Sequence, residues 1–290
     1  MSARFASTPA ASGGARHGAA HALQGLRAIV VRELLKFVQQ TGRLVSALVR
    51  PLLWLAVFGA GFRSAAGPTA EAPYVTPVPY DVYIAPGLVG MVLLFNGMQS
   101  SLSMVYDREM GLMRLLLTAP LPRPWLLFGK LCATALLSAL QALAFVAIAL
   151  LLGTGLPVFG WGGLHALVAL ACGALMLGAL GLLLSVHIKQ LENFAGTMNF
   201  VIFPMYFLST ALYPLWKLQE SGADWVYQAA RFNPFTHAVE WVRFALYGKD
   251  PGAAPYVVLG CLAVFFVLAC WGYDPQRGFG GLTKRGGGGG

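Results

Sequence analysis

The residues with the clearest chemical potential lie in one short stretch, DREMGLMRLLLTAPLPRPWLLFGK, which begins at Asp107 and combines both charge signs with apolar residues and prolines. The pattern predicts a short helix over 107–118, with Asp107 as its N-cap and Glu109 adding negative charge in its first turn. Arg108 would then be free to pair with an acidic group, and Gly111 would allow another backbone to approach closely. These features suit docking to a partner protein. A loop that only lies on the bilayer surface fits the same composition equally well.

The sequence contains none of the arrangements that usually mark catalysis or cofactor binding. It has no GxxxxGK[ST] phosphate-binding loop, no GxSxG, no HExxH and no paired-carboxylate motif. The cysteines occur inside apolar runs without metal-ligand spacing, at Cys132, Cys172, Cys261 and Cys270. We therefore expect that the chain is not an enzyme and that it binds no metal or cofactor itself.

The composition indicates which elements must position the docking stretch. Of 290 residues, 57% are hydrophobic and 11% are charged, whereas soluble domains average about 25% charged residues. Crossing the hydrocarbon core takes about 20 helical residues, and five uncharged runs reach that length. These runs are Val82–Tyr106, Leu131–Leu152, Ala166–Val186, Phe194–Tyr213 and Pro255–Tyr273.

A sixth span is predicted over Leu44–Phe62, although this run contains Arg50. An arginine near a helix end can extend its charge to the lipid headgroups, and we expect Arg50 to do so. The predicted fold is therefore an all-α polytopic membrane protein with six transmembrane helices. We expect 1–21 to be disordered, 22–273 to form the membrane domain and 274–290 to be a cytoplasmic Gly-rich tail.

The distribution of Lys and Arg predicts the orientation of the chain. With the N-terminus inside, the inner segments hold 15 basic residues and the outer segments hold 5. Both termini are therefore expected in the cytoplasm, and the net charge of +9 needs no nucleic acid to explain it.

Two further segments carry candidate functional residues. Ala22–Gln40 reads as an amphipathic interfacial helix, with Leu34 on its apolar side and Arg32 and Lys36 on its polar side. It is either a collar that meets a cytoplasmic partner or only a topology anchor. The outer segment Pro214–Ala254 contains the candidates Asn233, Pro234, Glu240 and Arg243. Its apolar spacing predicts a helix from which Glu240 and Arg243 face away. That helix either enters the outer leaflet or only caps the bundle.

Apart from Arg50, the predicted spans contain no Asp, Glu, Lys or Arg in their interiors. Ion-coupled carriers, in contrast, place titratable groups near the membrane midplane. A transporter with neither coupling groups nor a nucleotide site must obtain its energy from another protein. A stand-alone secondary transporter or channel remains the alternative, and an ionisable residue inside a span would favour it.

Several motifs in register resemble the permease subunit of type-2 ABC exporters. They are RPLLWLAVFGAGF at Arg50–Phe62, YIAPGLVGM at Tyr83–Met91, DREMGLMRLLLTAPLPR at Asp107–Arg123, ENFAGTMNFVIFPMYFLSTALYP at Glu192–Pro214, and Asn233-Pro234 with Arg243. One departure is Ser209-Thr210, where many members have Ser-Gly. Because threonine can hydrogen-bond to its own helix backbone, we expect the helix to continue through it.

The resemblance implies an export permease for an amphipathic substrate in the bacterial inner membrane, paired with a second permease copy in a homodimer or heterodimer. It implies a cytoplasmic ABC ATPase subunit that carries the ATP and Mg. The candidate ATPase-coupling residues are Asp107, Arg108, Glu109, Gly111 and Arg114.

Overall fold

The computed structural model describes residues 14–39, 41–61, 72–74, 77–111, 123–158, 160–188, 190–220 and 222–273. Within these ranges the regular architecture is helical, as predicted. The helices are α1 (Gly14–Gln39), α2 (Thr41–Gly61), α3 (Tyr80–Glu109), α4 (Arg123–Leu151), α5 (Trp161–His187), α6 (Leu191–Phe207), α7 (Leu215–Glu220), α8 (Asp224–Phe232), α9 (Pro234–Leu246) and α10 (Ala254–Gly272).

Four of these helices, α3, α4, α5 and α10, are long and apolar enough to cross a membrane. The other two predicted spans coincide with α2, whose apolar part is the shorter Val45–Gly59, and with the 17-residue α6. The structure therefore supports a multi-pass membrane protein, while the count of six spans stays a prediction.

The centre of the bundle is the contact between α3 and α5. The helix α5 also packs against α9 and α10. Small residues at near-helical spacing in α5 predict a close approach of this kind. A Cβ atom at Gly181 would lie 2.7 Å from the Gly97 carbonyl oxygen, so only glycine fits there. Ser185, one turn further on, is fully buried. This close packing makes α3 the most buried of the four long helices.

Two predicted helix boundaries are wrong, and both affect candidate residues. Asp107 does not begin a new helix, because α3 continues unbroken through Asp107 to Glu109. The predicted span Phe194–Tyr213 does not continue through Ser209-Thr210 either, since α6 ends at Phe207 and Leu208 leaves the helical conformation. The Ser209 hydroxyl donates to the Tyr206 carbonyl at 2.6 Å and accepts from the Ala211 amide at 3.2 Å, which stabilises a turn instead.

At the N-terminus, α1 begins at Gly14 rather than Ala22, so the Ala-rich residues before the predicted start are also helical. Leu26 and Ile29 of α1 pack closely against Gly129 of α4, where a Cβ atom would lie 3.3 Å and 3.2 Å from their Cδ1 atoms. Leu34 is half-buried. Whether α1 lies in the membrane interface stays a prediction. The segments 1–13 and 274–290 lie outside the described residues.

Candidate functional site

The predicted docking stretch begins at a buried ion-pair network that ties three helices together. The Asp107 carboxylate, in the last turn of α3, lies 3.2 Å from the Lys130 ammonium of α4. Arg32 of α1 approaches the same carboxylate oxygen at 4.0 Å. Asp107 and Lys130 are almost fully buried, whereas the Arg32 side chain is 37% exposed. A buried pair is costly to separate because each charge would lose its partner in a low-dielectric environment.

Glu109 joins the same end of the bundle to a fourth helix. Its Oε1 accepts a hydrogen bond of 2.9 Å from the backbone amide of Leu191, the first residue of α6. A carboxylate at this position satisfies an otherwise unpaired amide and complements the positive end of the helix dipole. The predicted role of Glu109 in the first turn of a loop helix is therefore wrong, and its side chain instead caps the N-terminus of α6.

Gly111 terminates α3. Its φ of 71° lies in the left-handed region, and its amide bonds to the Arg108 carbonyl at 3.2 Å. Glycine is favoured there because a Cβ atom would strain the backbone. Arg108 itself is half-buried. The candidate Arg114 and the Lys36 side chain lie outside the described residues.

At the end of α3, the structure thus brings together Arg32, Asp107 and Glu109 from the sequence prediction and adds Lys130. Lys130 was not among the candidate residues from the sequence. A charge directly beside an uncharged run was the available signal, since such a residue is buried only when paired.

At the opposite end of α3, Asn233 connects α6 to α9. Its amide nitrogen donates to the carbonyls of Met205 and Leu208, each at 2.7 Å, and its amide oxygen accepts from the Phe235 backbone at 3.0 Å. The first two bonds cap the end of α6, and the third caps the start of α9. Pro234 occupies the first turn of α9, where its missing N–H costs nothing. The predicted turn is therefore confirmed, with a capping role that the pattern did not indicate.

Arg243 is buried, contrary to the prediction that it faces away from the bundle. Its guanidinium pairs with Glu240, donates to the Thr210 carbonyl at 2.9 Å, and lies 4.2 Å from the centre of the Tyr83 ring. Burial is the largest single effect and lowers the pKa of Arg243, but the Glu240 carboxylate together with Tyr83 and Tyr74 outweighs it, and the pKa is raised above its usual value. Arg243 is therefore a cation that holds α9, α3 and the turn after α6 together.

These contacts explain how non-helical backbone can be buried after α6. Ser209, Thr210, Ala211 and Leu212 are all nearly inaccessible. The Tyr83 hydroxyl donates to the Thr210 carbonyl, and the Tyr80 hydroxyl to the Leu212 carbonyl, each at 3.0 Å. Irregular backbone at membrane depth is tolerated where protein groups satisfy it in this way. A cavity of about 330 Å³ lies beside this turn, lined in part by Thr210, Glu240 and Arg243.

Among the described residues, no group of three or more His, Cys, Asp and Glu side chains could hold a metal ion. The two charged networks contain paired groups and backbone caps rather than a nucleophile beside a base. Their geometry is suited to holding helix ends in fixed relative positions.

Comparison with known proteins gives one consistent result. The model of the family described as ABC-2 type transporter matches residues 24–247. The chain is 28% identical over 235 residues to the transport permease ycf38 of Porphyra purpurea, covering 79% of this chain and 76% of the relative. It is 30% identical over 230 residues to the ycf38 protein of Cyanophora paradoxa, covering 77% and 74%. It is 23% identical over 261 residues to the daunorubicin resistance ABC transporter permease protein DrrB1 of Streptomyces coeruleorubidus, covering 89% and 88%.

Proposed function

Because the chain belongs to the ABC-2 type transporter family, we propose that it is the membrane-spanning subunit of an ABC exporter, which moves an amphipathic substrate out across the inner membrane. A separate cytoplasmic ATPase binds the ATP and Mg, and a second permease copy completes the transport path. Relatives described as a transport permease and as a drug-resistance ABC permease support this proposal.

The observation that carries the coupling part of the proposal is the network around Asp107. The segment 112–122 connects α3 to α4 in the sequence, and both helices are held at this end by the pair between Asp107 and Lys130. Arg32 extends the network to α1, and Glu109 extends it to α6. Force applied to the loop by a partner would therefore reach four helices through buried or capping contacts. A loop that only marked a span boundary would not need these connections.

Arg50 bears on the stand-alone transporter, which an ionisable residue inside a span would favour. Its guanidinium lies 4.0 Å from the Phe95 ring, near the middle of α3 rather than at a helix end. The expectation that Arg50 extends to the headgroups is therefore wrong. Arginine stays protonated in proteins and cannot release a proton for coupling. The position of Arg50 therefore favours the binding of a ligand over proton-driven transport.

Co-purification tests the proposal. A tag on the permease should recover a soluble protein with a phosphate-binding loop, and the purified complex should hydrolyse ATP. Glu109→Lys and Gly111→Trp should reduce this recovery while leaving the amount of membrane-inserted permease unchanged. Glu109→Gln is the matched control, because glutamine still accepts the hydrogen bond from Leu191. Full recovery and normal transport in both test variants would exclude this loop from coupling.

The proposed orientation, with both termini cytoplasmic, is tested separately. A cysteine introduced by Glu220→Cys should react with an impermeant reagent in intact cells, and one introduced by Gly290→Cys should not. The reverse labelling pattern would contradict the orientation and would put the loop 112–122 on the wrong side for a cytoplasmic ATPase.

A further inference from the structure

Arg50 places a positive charge midway along the bundle axis. The Phe95 ring that its guanidinium contacts at 4.0 Å lies midway along α3. At about 1.5 Å per residue, α3 is roughly 45 Å long, so this contact lies about 20 Å from either end. Charged side chains at this depth are costly in a membrane, and they typically line substrate or ion paths with a partner of opposite charge.

Within the described part of the chain, Arg50 has no carboxylate within ion-pair distance. Its guanidinium contacts the Phe95 ring at 4.0 Å, well within the range of a cation–π interaction. An aromatic ring attracts the guanidinium but does not neutralise it or accept hydrogen bonds from its five N–H groups.

A second donor without an acceptor lies beside Arg50. The side-chain nitrogen of Asn96 is buried and has no hydrogen-bond partner, and the residue is only 8% exposed. Arg50 and Asn96 line the same cavity, together with Ser46 and Gln99. The cavity volume is about 10 Å³, enough for one oxygen atom or one water. Two donors thus converge on a space that an oxygen acceptor would fill.

A second copy of this chain has no carboxylate to offer at this depth. All acidic residues lie outside the predicted spans, at Glu33, Glu71, Asp81, Asp107, Glu109, Glu192, Glu220, Asp224, Glu240, Asp250 and Asp274. Another copy of this chain therefore cannot supply a carboxylate for Arg50, which favours a bound ligand as its partner. Arg50 is half-exposed on the surface of the single chain, so a ligand can reach it from the side.

We propose that Arg50 and Asn96 bind the anionic head, a phosphate or a carboxylate, of an amphiphile. One oxygen occupies the cavity and accepts from the Asn96 amide, while the charge pairs with the Arg50 guanidinium. Phe95 contacts the guanidinium at 4.0 Å and lines the same cavity. This inference deepens the proposed function, and it rests on that function in taking the ligand to be cargo.

Binding to the purified full-length permease in a non-ionic detergent tests the site. Dodecyl phosphate is the charged probe, and dodecanol is the neutral probe with the same chain. Arg50→Gln should weaken dodecyl phosphate binding about tenfold or more, because it removes the charge that a desolvated head pairs with, and should leave dodecanol binding unchanged. Arg231→Gln removes an exposed arginine at the far end of the bundle and should change neither.

Competition identifies the source of the head group. Displacement of dodecyl phosphate by phosphatidylglycerol at similar concentration indicates a lipid headgroup site, and failure to displace it indicates a single-chain cargo site; either result supports an anionic site. If Arg50→Gln does not fold, Arg50→Lys and Asn96→Ala carry the test, with binding kept by the first and weakened by the second. Equal binding of both probes to the wild type, or equal effects of Arg50→Gln and Arg231→Gln, would overturn the proposal. This binding assay does not need the ATPase. Failure of the ATPase to co-purify would therefore count against the proposed permease function and not against the anionic site.

Discussion

Replacing Asp107 by asparagine removes the charge at the centre of the ion-pair network without changing its shape. Asp107 is 2% exposed and its carboxylate lies 3.2 Å from the Lys130 ammonium. Asparagine can still accept a hydrogen bond from Lys130. However, Lys130 is only 5% exposed, and its buried ammonium would lose its counter-ion. We therefore expect Asp107→Asn to destabilise the permease substantially.

The magnitude follows from the distance and the burial. At an effective dielectric constant of about 20, two unit charges 3.2 Å apart attract by roughly 5 kcal/mol. Desolvation offsets part of this attraction in the intact pair, but breaking one buried partner typically costs about 3–5 kcal/mol. Arg32, at 4.0 Å and partly exposed, contributes less and can turn toward solvent. We expect Asp107→Asn to lose about 3 kcal/mol or more of the free energy of unfolding.

Unfolding of the purified permease by SDS in mixed micelles measures this change. The double variant Asp107→Asn with Lys130→Met removes both buried charges and should recover to within about 1 kcal/mol of the wild type. Lys130→Met alone should be destabilised, because it leaves the buried carboxylate with only the more distant and partly exposed Arg32. If Asp107→Asn unfolds within about 0.5 kcal/mol of the wild type, the pair is not a buried link between α3 and α4, and the reasoning fails.

Three other substitutions test separate features. Asn233→Ala removes the hydrogen bonds that cap α6 and α9 and should lower the free energy of unfolding by about 2–4 kcal/mol in the same assay. Asn193→Ala is the control: it loses one exposed side-chain hydrogen bond and should lower the free energy of unfolding by less than about 0.5 kcal/mol. Gly181→Ala should lower the free energy of unfolding by about 1–3 kcal/mol, because the added methyl group clashes with α3. Gly196 has open space around it, so Gly196→Ala should be neutral or stabilising. Equal effects of the two substitutions would contradict the close packing of α3 and α5. Leu34→Glu should lower the amount of assembled permease in membranes by adding a charge to the apolar side of α1, and normal assembly would argue against its burial.

The sequence predicted the helical fold and the positions of the long spans because length and charge exclusion determine them. It also predicted the turn at Asn233-Pro234 and a helix after it. It could not predict that Arg243 is buried, since a helical pattern places this residue on the polar side of α9. The burial arises from carbonyls of the turn after α6 and from the Tyr83 ring, which are distant in sequence.

The candidate coupling residues were found from their types but were given wrong local roles. Charge and proline content marked the stretch after the predicted span Val82–Tyr106. The residue pattern suggested that a helix begins at Asp107, whereas α3 continues to Glu109 and Asp107 pairs with the buried Lys130, 23 positions away. The bond from Glu109 to the start of α6 spans 82 positions and leaves no local pattern.

Site-specific photo-crosslinking to the ATPase tests the central claim, that this chain is a permease driven through the end that carries Asp107 and Glu109. A photoreactive residue at Met110, which is 60% exposed beside that network, should crosslink to the ATPase in membranes. The same residue at Trp161, which is 80% exposed where α5 begins at the opposite end, is the matched control and should not. Crosslinking from position 161 with none from position 110 would contradict the account.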